Sequence, residues 1–296
     1  MSKIAGVGAC VLDTVIECDA YPKEDTKLRA FGVVRRGGGP VGNALAAAAV
    51  LGAKAVYLGT MPDGAEGDFL ADELERSGVR CRAKRIDADP FTSYVILSKN
   101  TGSRTVIFEK GTLPDDSAYL NMEELKKADI LHLDGNFLQS AIYAAEFAKK
   151  NGIKVSLDAG GLYNGIGDLL PLVDILIPSA EFALGWTKEE DIPRAMQKLN
   201  EMYRPAVLVV TDGARGGFYF ADGEAKRYPS FSVTVKDSNG AGDVFHGAFL
   251  YAYMKKKTVA ECCRFASAVA ALKCTGVGVK QSVPSLRETE IFLQCN

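Results

Sequence analysis

The chain has 296 residues, 47% of them hydrophobic and 24% charged, with Lys+Arg 35 against Asp+Glu 37 and a formal charge of −2. That composition excludes a disordered or collagen-like chain, and without a basic excess it speaks against a nucleic-acid binder. The length suits one large α/β domain or two ordinary ones.

Met1-Ser2-Lys3-Ile4-Ala5 leads straight into a strand at Ile4–Gly8, with no signal-peptide core, and no apolar run is long enough to cross a bilayer. A cytoplasmic protein that meets no membrane is expected. Thr14–Val34 holds two strand-like runs around Tyr21-Pro22-Lys23-Glu24-Asp25. A helix over Gly42–Leu51 precedes a strand at Ala55–Gly59 and a helix at Gly67–Ser77. Ser93–Ser98 and Arg104–Glu109 flank Lys99-Asn100-Thr101-Gly102-Ser103, a hairpin pattern. Further strands are predicted at Ile130–Leu133, Lys154–Asp158, Ile175–Pro178 and Ala206–Thr211, and helices at Gln139–Asn151 and Asp191–Tyr203. The chain closes with helices over Gly240–Lys257, Val259–Thr275 and after Ser285, where Ser285-Leu286-Arg287-Glu288 is a capping box. Short apolar runs alternating with i, i+3, i+4 patterns predict βαβ units and a mostly parallel sheet. Thr14–Val34 and the hairpin alternate apolar with polar residues instead, which predicts a half-exposed antiparallel sheet. The expected organisation is a single domain over 1–296 with a lid formed by 14–36 and 91–112. The lid's apolar face needs cover from substrate, main domain or a second copy, so a homodimer through the lid is expected.

Seven cysteines, at 10, 18, 81, 262, 263, 274 and 295, include no Cys-x-x-Cys, and the two histidines, 132 and 246, are far apart in the chain. A disulfide framework, a zinc finger and an iron–sulfur site are disfavoured; buried reduced thiols fit better. His132 has no evident Ser or Cys partner and reads as a core or surface histidine.

The 30 glycines are the informative excess, clustered at 37–42, 160–167, 213–217 and 240–247. The strongest segment is Val235-Lys236-Asp237-Ser238-Asn239-Gly240-Ala241-Gly242-Asp243-Val244-Phe245-His246-Gly247-Ala248. Its small residues open a helix that is apolar nearly all round, so their N–H groups form an anion site at a helix N-terminus. Asp243, in the first turn, is placed to accept a proton from a hydroxyl attacking a bound phosphate. An ordinary capped turn is the plainer reading, but a surface cap does not sit at the mouth of a buried helix. Arg35-Arg36-Gly37-Gly38-Gly39-Pro40-Val41-Gly42-Asn43-Ala44 brings flexible backbone to the start of an Ala-rich helix, and Asn43 suits sugar hydroxyls as well as it suits packing. Thr211-Asp212-Gly213-Ala214-Arg215-Gly216-Gly217 follows a strong strand, either as a ligand loop beyond the sheet edge or as a plain turn before Phe218-Tyr219-Phe220. Competing motifs fail: Val11 breaks a dinucleotide fingerprint at Gly6-Val7-Gly8, and Gly-Lys, His-Arg-Asp, Asp-Phe-Gly and Gly-x-Ser-x-Gly are absent.

Together these residues resemble the ribokinase-like (phosphofructokinase-B) carbohydrate kinase family over nearly the whole chain. Gly37–Ala44 is similar to its N-terminal signature and Asp237–Ala248 to its Asp-Thr-x-Gly-Ala-Gly-Asp signature. The resemblance implies a three-layer ribokinase-like α/β fold with a mostly parallel central sheet and a small β-sheet lid. It implies Asp243 as catalytic base and Gly240, Ala241 and Gly242 as the anion hole. Asp13, at the end of the first strand region, would grip sugar hydroxyls beside Gly38, Gly39 and Asn43. Thr211, Gly213, Ser267 and the Thr275–Gly278 turn with Gly276 resemble nucleotide contacts. Asp237, Asn239 and Ser282 are similar in place to a monovalent-cation loop, for K⁺ or a relative. ATP and Mg²⁺ are implied as well. Two departures stand out. Ser238-Asn239 replaces the family's usual threonines, and an Asn-x-x-Glu motif is present only as Pro178-Ser179-Ala180-Glu181, with Glu181 offset from a Mg²⁺ network. The Arg264–Thr275 block is similar to the subgroup that includes sulfofructose kinase, whose sulfonate calls for cations. Lys27 is one candidate, though a solvated edge lysine describes it slightly better, and a neutral or aldonate-like sugar fits at least as well.

The sequence thus reads as an ATP-dependent sugar kinase acting on a small-molecule sugar. Two alternatives stay open. One is a nucleoside kinase of the same fold, marked by an aromatic such as Phe108 or Phe137 stacking on a base. The other is a non-catalytic sugar-binding or regulatory protein.

Overall fold

The computed structural model describes residues 3–101 and 103–296; Met1-Ser2 and Gly102 of the predicted hairpin turn lie outside them. In chain order the elements begin β1 (Lys3–Val7), β2 (Val11–Cys18), β3 (Gly32–Gly38), α1 (Pro40–Val50), β4 (Lys54–Tyr57), β5 (Thr60–Pro62), α2 (Gly64–Arg76), β6 (Val79–Cys81) and β7 (Lys84–Ile86). They continue with β8 (Thr92–Ser98), β9 (Arg104–Glu109), α3 (Met122–Leu125), β10 (Ile130–Leu133), α4 (Leu138–Lys150), β11 (Lys154–Ala159), β12 (Ile175–Pro178), α5 (Ala180–Thr187) and α6 (Ile192–Tyr203). The last are β13 (Val207–Thr211), β14 (Gly217–Ala221), β15 (Glu224–Tyr228), α7 (Ala241–Met254), α8 (Val259–Cys274) and α9 (Leu286–Cys295).

Among the described residues, nine strands form one sheet in the order β15-β14-β13-β12-β11-β10-β1-β4-β6. It is parallel from β13 to β6, and β14 and β15 are added antiparallel at one edge. Successive strand residues face opposite sides, which explains the unbroken apolar runs. Ile4, Ile130, Ile175, Val207 and Val209 join one core under α1, α2, α7 and α8. Ala5, Leu131, Leu176, Leu208 and Val210 join the other, under α4, α5 and α6. This is the expected three-layer α/β architecture, and the capping box at Ser285 and Glu288 forms at the start of α9.

A second sheet has the order β3-β2-β8-β9, with β2 antiparallel to β3 but parallel to β8. The predicted antiparallel sheet is therefore mixed. β2 begins at Val11 and β3 runs to Gly38, past the expected bounds at 14 and 36, so Asp13 belongs to this small sheet and not to the end of β1. The face that carries Val33, Tyr94 and Ile107 is apolar and open, with those residues 62%, 50% and 55% exposed, whereas Phe108 lies on the opposite face with Asp13 and Ser93.

α7 is buried from Val244 to Ala252 and crosses the Ala-rich α1 at close range. A Cβ on Gly247 would overlap the Ala44 carbonyl oxygen and lie 2.9 Å from the Ala47 Cβ. Backbone touches backbone there, and only glycine permits it. Gly247→Ala is expected to destabilise the fold by about 1–3 kcal/mol through overpacking, read from denaturant unfolding.

Candidate active site

The mouth of α7 holds the first part of the site. Gly240 has φ 66°, and a Cβ there would come within 2.5 Å of Val279 Cγ1, so glycine is required on both counts. The Ala241 N–H donates to the Ser238 carbonyl at 3.3 Å, whereas the Gly242 and Asp243 N–H groups have no acceptor among the described residues. Those two orphan donors lie at the positive end of the helix dipole, a geometry that suits an anion. Asp243 is half-buried, and its Oδ2 accepts a hydrogen bond from Asn43 Nδ2 at 2.7 Å. Burial and the Asp158 charge raise its pKa, and the Asn43 hydrogen bond opposes them. Asn43 Oδ1 is buried without a donor, a vacancy that suits a ligand hydroxyl.

Behind Asp243 lies a cluster that sequence reasoning missed. Asp158, at the end of β11, has Oδ1 3.2 Å from His246 Nε2. Burial works against its charge, but His246 beside it holds the carboxyl below its ordinary range. His132, pushed down to about 3 by burial and His246, is neutral. The two histidines, far apart in the chain, have rings 5.6 Å apart, and His132 Nδ1 lies 3.3 Å from Ser156 Oγ. His132 is a core residue, with the serine neighbour that the sequence did not reveal. A carboxylate ending an apolar strand was the available signal for Asp158.

A cavity of about 220 Å³ opens beside Asp243, lined by Asp13, Gly39, Asn43, Ser93 and Asn136 among others. Asp13 Oδ1 accepts from Ser93 Oγ at 2.6 Å, and burial pushes its carboxyl up to about 6. Gly38 is what admits it, since a Cβ there would overlap Asp13 Oδ2. Asp134 accepts from the Ala9 and Asn136 N–H groups at 2.8 and 2.9 Å and so fixes two walls of the cavity. Phe108 lines the opening, its ring 5.8 Å from that of Phe91; Phe137 is buried behind the cavity wall, in one apolar cluster with Ala9, Val11 and Phe91, and does not itself line the cavity.

A larger cavity, about 640 Å³, lies on the other side of the glycine turn and is lined by Thr211, Gly213, Ser267, Ala241 and Gly242. The β9 residue Arg104 reaches it, with Nη1 3.3 Å from Ser238 Oγ. Nothing in the sequence marked Arg104, because the contact depends on how the small sheet docks. The anion-binding turn therefore stands between two cavities, with Asp243 facing the smaller.

Other expected residues fall elsewhere. Lys27 lies in the exposed connection between β2 and β3 and lines neither cavity. Gly276 packs against Ser282 after α8 and lines neither. Glu181 is exposed on the first turn of α5, and Ser179 caps that helix through the Phe182 N–H at 3.1 Å. Asp237 and Asn239 do come together, but around Lys273: its Nζ donates to the Asp237 carbonyl at 2.8 Å and to the Asn239 carbonyl, and lies 3.7 Å from Asp237 Oδ2. Ser282 Oγ is committed to the Val277 carbonyl at 3.0 Å. These groups do not fit a potassium ion, because an ammonium already takes the acceptors and would repel a second cation at contact distance.

Two cavities joined at a helix N-terminus, with a carboxylate at the junction, form a site for phosphoryl transfer between a bound donor and a hydroxyl acceptor. The model of the pfkB family of carbohydrate kinases matches residues 1–286. Ribokinase from Arabidopsis thaliana is 30% identical, over 97% of this chain and 79% of that protein. Ribokinase from Haemophilus influenzae is 26% identical, over 97% of both. The structure of Arabidopsis thaliana ribokinase complexed with ribose and ATP superposes with a TM-score of 0.83 at 26% identity, covering 99% of each chain. The chain belongs to the pfkB family of carbohydrate kinases.

Asn43→Ala removes the hydrogen bond that lowers the Asp243 pKa. The acid limb of its kcat/KM profile should therefore move to higher pH relative to wild type, because the base ionises later.

Proposed function

We propose that the protein is an ATP-dependent sugar kinase that transfers the γ-phosphate of ATP to a hydroxyl of an uncharged monosaccharide. The observation that carries this reading is the position of Asp243, bonded to Asn43 and facing the smaller cavity, at the end of a turn whose other face lines the larger one. ATP occupies the larger cavity against Thr211, Gly213 and Ser267, and the sugar the smaller, held by Asp13, Asn43 and Asn136. The ribose and ATP named for the Arabidopsis ribokinase complex support that division. Asp243 takes the proton of the attacking hydroxyl, while the Gly242 and Asp243 N–H groups receive the developing phosphate charge. Mg²⁺ neutralises nucleotide phosphate charge when bound. Among the described residues no group of three or more His, Cys, Asp and Glu could hold a metal, which fits an ion carried in by the phosphates.

The choice of an uncharged sugar rests on the smaller cavity, which has no Lys or Arg in its lining but two carboxylates, Asp13 and Asp243. A sulfonate or aldonate would meet like charge there. Phe108 at the opening favours a nucleoside as second reading, since an aromatic ring can stack on a base. The small sheet acts as the lid: β9 brings Arg104 to one cavity and Phe108 to the other, and closure excludes water that would hydrolyse ATP. Its open apolar face supports a homodimer formed through the lid. The free cysteines, none paired among the described residues, and the absence there of any helix long and apolar enough to cross a membrane support a cytoplasmic setting.

An ADP-release screen across aldoses, ketoses, nucleosides and sulfosugars should find turnover with a neutral monosaccharide; turnover only with nucleosides or only with sulfosugars overturns this acceptor. Asp243→Asn should keep the fold and lose about 10²–10⁴-fold in kcat. Near-normal turnover in that variant would sink the mechanism. Light scattering at micromolar concentration should give a dimer mass, and a monomer refutes the lid interface.

A further inference from the structure

Lys273, one residue from the end of α8, is fully buried. A buried ammonium is costly unless it is paired and its donors are used, and here two N–H groups go to carbonyls and the charge faces the Asp237 carboxylate. The acceptors are themselves fixed. Asp237 Oδ1 takes the Asn239 N–H at 2.8 Å and Oδ2 the Gly278 N–H at 2.9 Å. The Cys274 carbonyl, next along α8, takes the Lys236 and Asp237 N–H groups at 2.8 and 3.2 Å. The end of α8 thus clamps the segment that leads into the glycine turn.

The peptide geometry gives this clamp a consequence. In a planar trans peptide the C=O and the next N–H point in opposite directions. Holding the Asp237 and Asn239 carbonyls on Lys273 turns the Ser238 and Gly240 N–H groups the other way. It also sets a full positive charge behind the positive end of α7. Without the ammonium those two carbonyls would lose the donor they share, and the segment would be held by the Asp237 carboxylate and the Cys274 carbonyl alone.

We infer that the Lys273 ammonium serves as a built-in monovalent cation, a positioning residue that holds residues 237–240 in their phosphate-binding form and frees the enzyme from any need for added K⁺. The kinetic part of this inference rests on the kinase reading above. The structural part does not. It predicts that the position tolerates a mobile cation only after the lysine side chain is removed.

Two readouts test it at constant ionic strength, in chlorides of tetramethylammonium, Na⁺, K⁺ and NH₄⁺. The wild-type melting temperature and its kcat should be the same in all four. Lys273→Ala opens a space of ammonium size: its kcat should fall by about 10²-fold, as expected for a misplaced reacting group. K⁺ or NH₄⁺ should restore part of that loss and raise the variant's melting temperature, both saturably, as a ligand of the folded state does. Lys273→Met fills the space without charge and should be slow and insensitive to every salt. The inference is overturned by wild-type kcat or melting temperature rising with K⁺ over tetramethylammonium, by Lys273→Met at wild-type rate, or by a folded Lys273→Ala that no cation affects. The wild-type comparison holds even where a variant does not fold. Should wild type phosphorylate no acceptor, the kinase reading fails on its own, and the melting series still decides the cation question.

Discussion

Everything at this site depends on how closely α1 and α7 approach. Gly247 lets the α7 backbone rest on the Ala44 carbonyl, and the alanines of α1 keep the rest of the interface thin. Both helices then begin at the same edge of the sheet. Asn43, in the first turn of α1, and Asp243, in the first turn of α7, meet at 2.7 Å although 200 residues separate them. A bulkier crossing would move the two helices apart by the width of a side chain. The hydrogen bond from Asn43 that lowers the Asp243 pKa would then be lost. The placement of the glycine turn and of Asp243 therefore follows from one packing contact deep in the fold.

The electrostatics follow from what that edge buries. Asp13 and Asp243 line the same small cavity, and burial raises both. Their mutual repulsion is tolerable because Ser93 and Asn43 each donate a hydrogen bond to one of them. The remaining acceptor capacity of these carboxylates and of Asn43 Oδ1 could be met by the hydroxyls of a neutral sugar. On the proposed reading phosphate charge is met differently, by backbone N–H groups and a helix dipole, with the Lys273 charge held behind the turn. Such an arrangement would let a chain of near-zero net charge bind polyphosphate without a basic surface.

Much of this was legible in the sequence, and the failures share a cause. Runs such as Ile175–Pro178 declare doubly covered strands because each successive residue is apolar. The turn at Gly240–Asp243 declares itself through small residues before a buried helix. Asp13, by contrast, sits on a sheet whose central pairing, β2 with β8, is parallel and joins segments about 80 residues apart, as in Asp13 and Ser93. No local pattern encodes that pairing. Lys27 has the charge for a sulfonate and Glu181 stands near the place of a family motif, yet their neighbours leave both in solvent. The His132–His246–Asp158 cluster was invisible for the same reason, since its members come from three elements.

Lys273 marks the boundary between those two cases. It stands in Ala270-Ala271-Leu272-Lys273-Cys274, an apolar helical run in which one lysine is out of place. Composition alone makes it a snorkelling surface residue, its head reaching water past an apolar stem. The structure sends it inward, because α8 packs flush on α7 and the carbonyls of 237 and 239, with the Asp237 carboxylate, compensate the buried ammonium. The same carbonyls, with their N–H groups turned away, would be an unsatisfied pair if the lysine were absent. Lysine and turn thus need each other, and the shape that satisfies both is the one that leaves the Gly242 and Asp243 N–H groups without an acceptor among the described residues.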